Sequence, residues 1–288
     1  CKTLAFVLPL LHQLKSLELE GSSVSSIGCP RGLVLVPGRE LGDQVSRVFK
    51  GLTHGTRVRV RTALGGSKKA VARQNVGGKF EVLVATPGRL RQLLEDGPLR
   101  LSDVRTLVFD EADQMLDPGF VDEARSILAK CPSKVQLVLF SATLPASLET
   151  AVKGLFPSPP VRVRTHGSQR LVPTLKTQNR TVVHGDRATA LREVLNSGPM
   201  VSSILFSNTR KQCAQVAEWL DEAGVAYTTC AGEMNRAERK NNLKRFRTGE
   251  VALLLTTDLG GRGLDIERVE RIINVFLPRE LDNYLHRA

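Results

Sequence analysis

The chain has 288 residues, 41% of them hydrophobic, and 41 Lys+Arg against 29 Asp+Glu give a formal net charge of +12. That length points to about two domains of roughly 150 residues each, no apolar run reaches the roughly 20 residues that span a bilayer, and five scattered Cys without a C-x-x-C pair indicate neither a disulfide framework nor a zinc site. Both halves are basic, with 23 Lys+Arg against 15 Asp+Glu up to Thr165 and 18 against 14 beyond it, which favours a polyanionic partner touching both halves over one basic tail; charge kept for solubility is the plainer alternative.

The first predicted element is a helix, "LAFVLPLLHQL", directly after Lys2 and Thr3. Apolar and β-branched runs then recur at 32–36, 58–64, 81–86, 106–110 and 135–143, with amphipathic helical stretches between them. Strands alternating with helices predict a parallel sheet covered on both faces, and near-continuous apolar strands agree. The Pro-, Gly- and Ser-containing stretch 155–174 breaks the rhythm and predicts a linker. The same alternation restarts in "SSILFSNT" (202–209), "CAQVAEWLDEAG" (213–224), "VALLLTTD" (251–258) and "RIINVFLP" (271–278). The expected organisation is a first α/β domain over 1–165, a linker over 166–175 and a second α/β domain over 176–288.

Chemistry concentrates at the predicted strand ends. "LVFDEADQML" (107–116) carries Asp110, Glu111 and Asp113 where a buried strand exits, although an unpaired buried carboxylate costs several kcal/mol, roughly. Ligands of open parallel sheets bind beyond the carboxyl ends of the strands. A strand-end Asp followed by Glu suits a Mg²⁺-nucleotide site, with Asp110 in the metal shell and Glu111 orienting or deprotonating a water. A solvated acid cluster is the ordinary alternative. Lys2 and Thr3 before a helix match the end of the phosphate-loop pattern G-x-x-x-x-G-K-[ST], with Lys2 for the β/γ-phosphates and the Thr3 hydroxyl for Mg²⁺.

The ordered set "PGREL" (37–41), "GG" (65–66), "TPGR" (86–89), "DEAD" (110–113), "SAT" (141–143), "TTDLGGRGLD" (256–265) and "YLHR" (284–287) resembles the DEAD-box ATP-dependent RNA helicases of helicase superfamily 2. The resemblance spans essentially the whole chain. It implies two tandem RecA-like domains, ATP and Mg²⁺ as cofactors, and RNA as partner. It assigns Lys2, Thr3, Asp110, Glu111 and Asp265 to ATP, with catalysis resting on Glu111, Asp110 and Lys2 and metal binding on Thr3 and Asp110, in part through water. It assigns Asp113, Ser141, Thr143 and His286 to coupling between the domains. Arg39, Gly65, Gly66, Thr86, Gly88 and Arg89 would line the RNA track on the first domain, and Asn208, Thr209 and Thr257 on the second. Glycines let a phosphate backbone approach closely, and hydroxyls and Arg donate to it without reading sequence. With aromatics at only 5%, backbone contacts are expected to dominate over base stacking. RNP or ribosome-assembly proteins are further expected partners, a monomer the expected state, and a reducing intracellular compartment the expected location.

Each motif also has an ordinary reading: "SAT" as a cap, "TPGR" as a turn before a helix, Arg39 as a surface charge, "YLHR" as a helix end. Several positions depart from the family. Cys1 stands where the phosphate loop has its last Gly, Gly38 replaces a usual Thr, Ala231 and Arg236 replace His and Gln, and Phe276 replaces a common Asp. The chain also reads as truncated at both ends, stopping before the family's arginine fingers, so by itself it is expected to hydrolyse ATP poorly or not at all. The alternatives kept are a catalytically weak RNA clamp or assembly factor, and a superfamily 2 DNA helicase.

Overall fold

The computed structural model describes residues 2–21, 25–66, 68–116, 121–143, 146–156, 159–164, 174–182, 185–230, 234–261, 266 and 269–287. They fall into two units that divide between Arg164 and Thr165. Most of the expected linker, residues 166–173, lies outside the described residues.

In chain order the first unit runs α1 (Lys2–Leu19), β1 (Gly32–Leu35), α2 (Arg39–Leu52), β2 (Val60–Ala63), α3 (Lys69–Val76), β3 (Val82–Ala85), α4 (Pro87–Glu95), β4 (Thr106–Phe109), α5 (Ala112–Met115), α6 (Val121–Leu128), β5 (Gln136–Leu139) and α7 (Ala146–Leu155). Its strands are parallel in the order β2-β3-β1-β4-β5. The apolar runs of β1, β3 and β4 are buried throughout because helices cover both faces. Leu33, Leu35, Leu83, Leu107 and Phe109 pack into one core, and Val34, Val36, Val82, Val84 and Val108 into the other. Each such side chain contributes on the order of 1.5–3 kcal/mol relative to exposure. In α1, Thr3, Phe6, Val7, Leu10 and Leu14 are buried at helical spacing, which fixes this helix on the second of these cores.

The second unit runs α8 (Arg187–Asn196), β6 (Ser203–Ser207), α9 (Arg210–Glu222), β7 (Tyr227–Cys230), α10 (Arg236–Arg247), β8 (Leu253–Thr257), α11 (Asp258–Gly261), β9 (Arg271–Asn274) and α12 (Leu281–Arg287). Its sheet is parallel, in the order β7-β8-β6-β9.

Two expectations are corrected. Strands are shorter than the apolar runs: 58–64 yields Val60–Ala63, and 135–143 yields Gln136–Leu139. The second has a clear cause. Phe140 N–H still bonds Phe109 O at 2.8 Å, but β4 then gives way to the turn at Glu111, and Phe140 O is taken up by Ala112 N–H instead of continuing the ladder. Burial on both sides also fails at β2, β5 and β9, which are only partly covered. Each has one strand neighbour among the described residues.

Candidate functional site

The C-terminal ends of β1 and β4 are adjacent, with Leu35 paired to Phe109 and Asp110 N–H donating to Leu35 O at 3.0 Å. Asp110 is 3% exposed. Burial pushes its carboxyl above the ordinary aspartate range; the Lys2 charge and the Glu111 N–H pull the other way, and Asp113 adds to the rise. Lys2, the first residue of α1, is 108 positions from Asp110 in the chain, yet its charge acts on that carboxyl at the end of β4. Thr3 is buried in the same first turn.

Glu111 adopts φ 52° and ψ 51°, the one left-handed non-glycine among the described residues. An L-residue costs roughly 1–2 kcal/mol there. The Glu111 N–H donates to Asp110 Oδ1 at 3.0 Å, and the next amide, Ala112 N–H, donates to Phe140 O at 2.8 Å. The turn is thus held from two sides, and strain held so firmly clusters at functional sites. One turn on, Asp113 Oδ2 accepts from Thr143 Oγ1 at 2.7 Å, while Ser141 Oγ donates to Thr143 O at 2.6 Å. "DEAD" and "SAT" are therefore joined directly, through the segment that leaves the sheet early.

A second group forms at the ends of β2 and β3. Thr86 Oγ1 accepts Gly65 N–H at 3.1 Å, and Gly65 O accepts Arg39 Nη1 at 2.7 Å. Arg39 also pairs with Asp43 at 3.4 Å. Gly66 has φ +75°, a conformation side chains rarely adopt. Gly88 stands open at the start of α4, with nothing within 4 Å of an added Cβ. Arg89 Nη1 donates to Gln92 Oε1 at 2.5 Å. Thr86 precedes Pro87 at the helix start but uses its hydroxyl on Gly65, so "TPGR" is both helix start and cross-strand tie.

In the second unit Asn208 and Thr209 follow β6, and Ser207 is paired with Thr257 at the end of β8. Thr209 Oγ1 caps α9 by accepting Gln212 N–H at 3.2 Å. Thr257 Oγ1 accepts Gly260 N–H at 3.4 Å. His286 lies in α12 and is partly buried. Asp265 lies outside the described residues. The departure Phe276 has a packing role: its ring stacks on Trp219 at 6.5 Å, with the Arg187 guanidinium 5.1 Å from its centroid. Gly38 forms the extended N-cap position of α2.

Sequence reasoning missed Arg287 and Asp258. They pair at 2.5 and 2.8 Å, and Arg287 is buried. Asp258 carried the signal of Asp110, an acid closing an apolar strand; Arg287 closes the "YLHR" run, in which only His286 was given a role.

No group of three or more His, Cys, Asp or Glu side chains is arranged for a metal among the described residues. Asp110 and Thr3 are both buried oxygen donors, a hard-oxygen chemistry, and Mg²⁺ commonly takes one or two carboxylates, waters and substrate phosphates rather than a full protein cage. Among the described residues no helix is long and apolar enough to cross a membrane.

Comparison with known proteins agrees with this layout. Residues 186–288 match the helicase conserved C-terminal domain. The ATP-dependent RNA helicase DeaD of Escherichia coli strain K12 is 34% identical over 287 residues, covering 99% of this chain and 44% of that protein. Its counterpart from Buchnera aphidicola (subsp. Acyrthosiphon pisum) is 33% identical over 288 residues, covering 99% and 46%. The chain thus spans about half the length of these relatives. Saccharomyces cerevisiae Dbp5, solved bound to RNA and ADP BeF3, superposes with a TM-score of 0.81 at 26% identity, covering 100% of this chain and 72% of that one. Mss116p, bound to ssRNA and AMP-PNP, shares the fold at TM-score 0.77 and 21% identity. The two parallel-sheet units are tandem RecA-like domains. With residues 2–151 matching the DEAD/DEAH box helicase model as well, the chain belongs to the DEAD/DEAH box helicase family.

Proposed function

We propose that this chain is the two-domain motor of an ATP-dependent RNA helicase, which binds single-stranded RNA on both units and couples ATP binding and hydrolysis to local duplex opening or RNP remodelling. The observation that carries the reading is the strand end itself: a buried Asp110 on which the Lys2 charge acts, followed by Glu111 in a left-handed turn. Lys2 would neutralise the β/γ-phosphates, and Thr3 and Asp110 would hold Mg²⁺, in part through water. Bound Mg²⁺ supplies charge neutralisation on the phosphates. Glu111 would orient the attacking water and take its proton, from a left-handed turn at the strand end. Asp265 would meet the ribose. Dbp5 holding RNA and ADP BeF3 on the same fold supports both ligands.

The first-unit track would be Arg39, Gly65, Gly66, Thr86, Gly88 and Arg89, and the second Asn208, Thr209 and Thr257. Arg39, Gly65 and Thr86 are bonded into one group, so a phosphate backbone would meet a preassembled surface. Asp113, Ser141, Thr143 and His286 would transmit the nucleotide state. If each ligand contacts both units, their affinities are reciprocally coupled.

ATP turnover by the full-length protein, with and without single-stranded RNA, tests the reading. Expected is RNA-stimulated turnover that Glu111→Gln abolishes. RNA binding with background turnover in both proteins would instead establish a clamp or assembly factor. Equal stimulation by matched DNA would remove RNA as the preferred substrate.

A further inference from the structure

The second unit buries a full positive charge, and a buried guanidinium persists when it is paired and hydrogen-bonded on every side. Arg287, the last residue of α12, is 4% exposed. Its Nε and Nη2 donate to the two carboxylate oxygens of Asp258 at 2.5 and 2.8 Å, a bidentate fork. Nη2 also donates to Asn208 Oδ1 at 2.7 Å, and Nη1 donates to Asn274 Oδ1 and Phe276 O, both at 2.9 Å. The guanidinium lies 5.1 Å from the Phe206 ring centroid. One side chain therefore ties together the C-terminal ends of β6, β8 and β9.

The same contacts commit Asn208. Its Nδ2 donates to Leu277 O at 2.9 Å while its Oδ1 accepts from Arg287, and its N–H donates to Gln212 Oε1 at 3.1 Å. A carboxamide held at both ends has its orientation set by the protein, with one of its two N–H donors and one of its two lone pairs committed. Thr209 next to it is exposed, and its hydroxyl accepts Gln212 N–H while keeping its own proton to donate.

We propose that Arg287 is a positioning residue for RNA binding, acting through Asn208: the pair holds Thr209, the start of α9 and the neighbouring Thr257 in register for the RNA backbone, and Asn208 itself contributes placement rather than a direct contact. This rests on the reading of the second unit as half of an RNA-binding motor.

The test is a thermodynamic cycle in the full-length protein. Affinity for a fluorescent single-stranded RNA is read by anisotropy with a non-hydrolysable ATP analogue present, and analogue affinity is read separately. Arg287→Lys keeps the charge but loses the fork. It is expected to weaken RNA at least tenfold while analogue affinity stays within about twofold and circular dichroism is unchanged. Asn208→Ala should weaken RNA by a similar factor, and the double variant no more than either single one, because residues acting as a unit are non-additive. Asp258→Asn, which loosens the same clamp from the other side, should reproduce the selective loss and decides the matter if Arg287→Lys fails to fold. Unchanged RNA affinity, equal loss of both ligands, or multiplying losses in the double variant would each overturn the proposal. Wild-type protein that binds no RNA would overturn the RNA reading, and this inference with it.

Discussion

Glu111 is the residue whose backbone conflicts with its side chain. The left-handed conformation costs an L-residue roughly 1–2 kcal/mol, and glycine would relieve it while adding about 0.5–1 kcal/mol of unfolded-state entropy. Glu111→Gly is therefore expected to leave unfolding free energy unchanged or raise it by up to about 1 kcal/mol, yet remove turnover. Urea titration and an ATPase assay on one preparation check both; clear destabilisation would show that the turn is not strained. Asp110 makes the complementary case. Its carboxyl keeps its proton to higher pH in the folded protein than in the unfolded chain, chiefly because it is buried. The native state then binds more protons, so this group's contribution to stability falls as pH rises above the ordinary aspartate range. Without ligands, Asp110→Asn should be more stable than wild type near neutral pH, with the difference shrinking on acidification. Thermal unfolding from pH 4 to 7.5 reads this directly. Both acids were legible in the sequence because they close an apolar run. The φ of Glu111 was not, because the turn depends on Ala112 N–H reaching Phe140 O across the sheet.

At the scale of elements, the site is a set of strand ends held by cross-ties. Thr86→Val would leave the Gly65 N–H without its acceptor, at a cost of about 1–3 kcal/mol, and should weaken RNA binding more than ATP-analogue binding. Equilibrium unfolding with an unchanged denaturant slope, beside anisotropy, separates the two effects. Gly88 tests close approach more cleanly. It opens α4 with free space around it, so Gly88→Ala should gain up to about 1 kcal/mol of helix stability. If RNA passes close to this backbone, the same methyl should lower RNA affinity, a gain in stability set against a loss in binding. Unchanged affinity would move the track elsewhere. The elements themselves were readable from their periods, whereas strand ends were overrun wherever a partner strand stopped first, as β5 shows against β4.

For the whole molecule the governing quantity is charge. Both halves are basic, and backbone-dominated binding releases counterions, with a slope of about −0.7 per phosphate contacted on a single strand. About five phosphate contacts would lower affinity roughly 100-fold between 50 and 200 mM salt. A salt titration with single-stranded RNA checks this, and a flat response would show that the net charge serves solubility instead.

The amino-acid sequence alone was enough for two parallel α/β domains, since period and apolar runs are local properties, and for the acidic strand end, since its residues are contiguous. Strand order, edge exposure and the pairing of distant side chains belong to the tertiary structure. Arg39, Gly65 and Thr86 become one hydrogen-bonded group only because β3 inserts between β2 and β1. Arg287 becomes a buried clamp only because β6, β8 and β9 end side by side around it. A charge can be buried when its partners converge from separate strands, and that convergence is decided by packing.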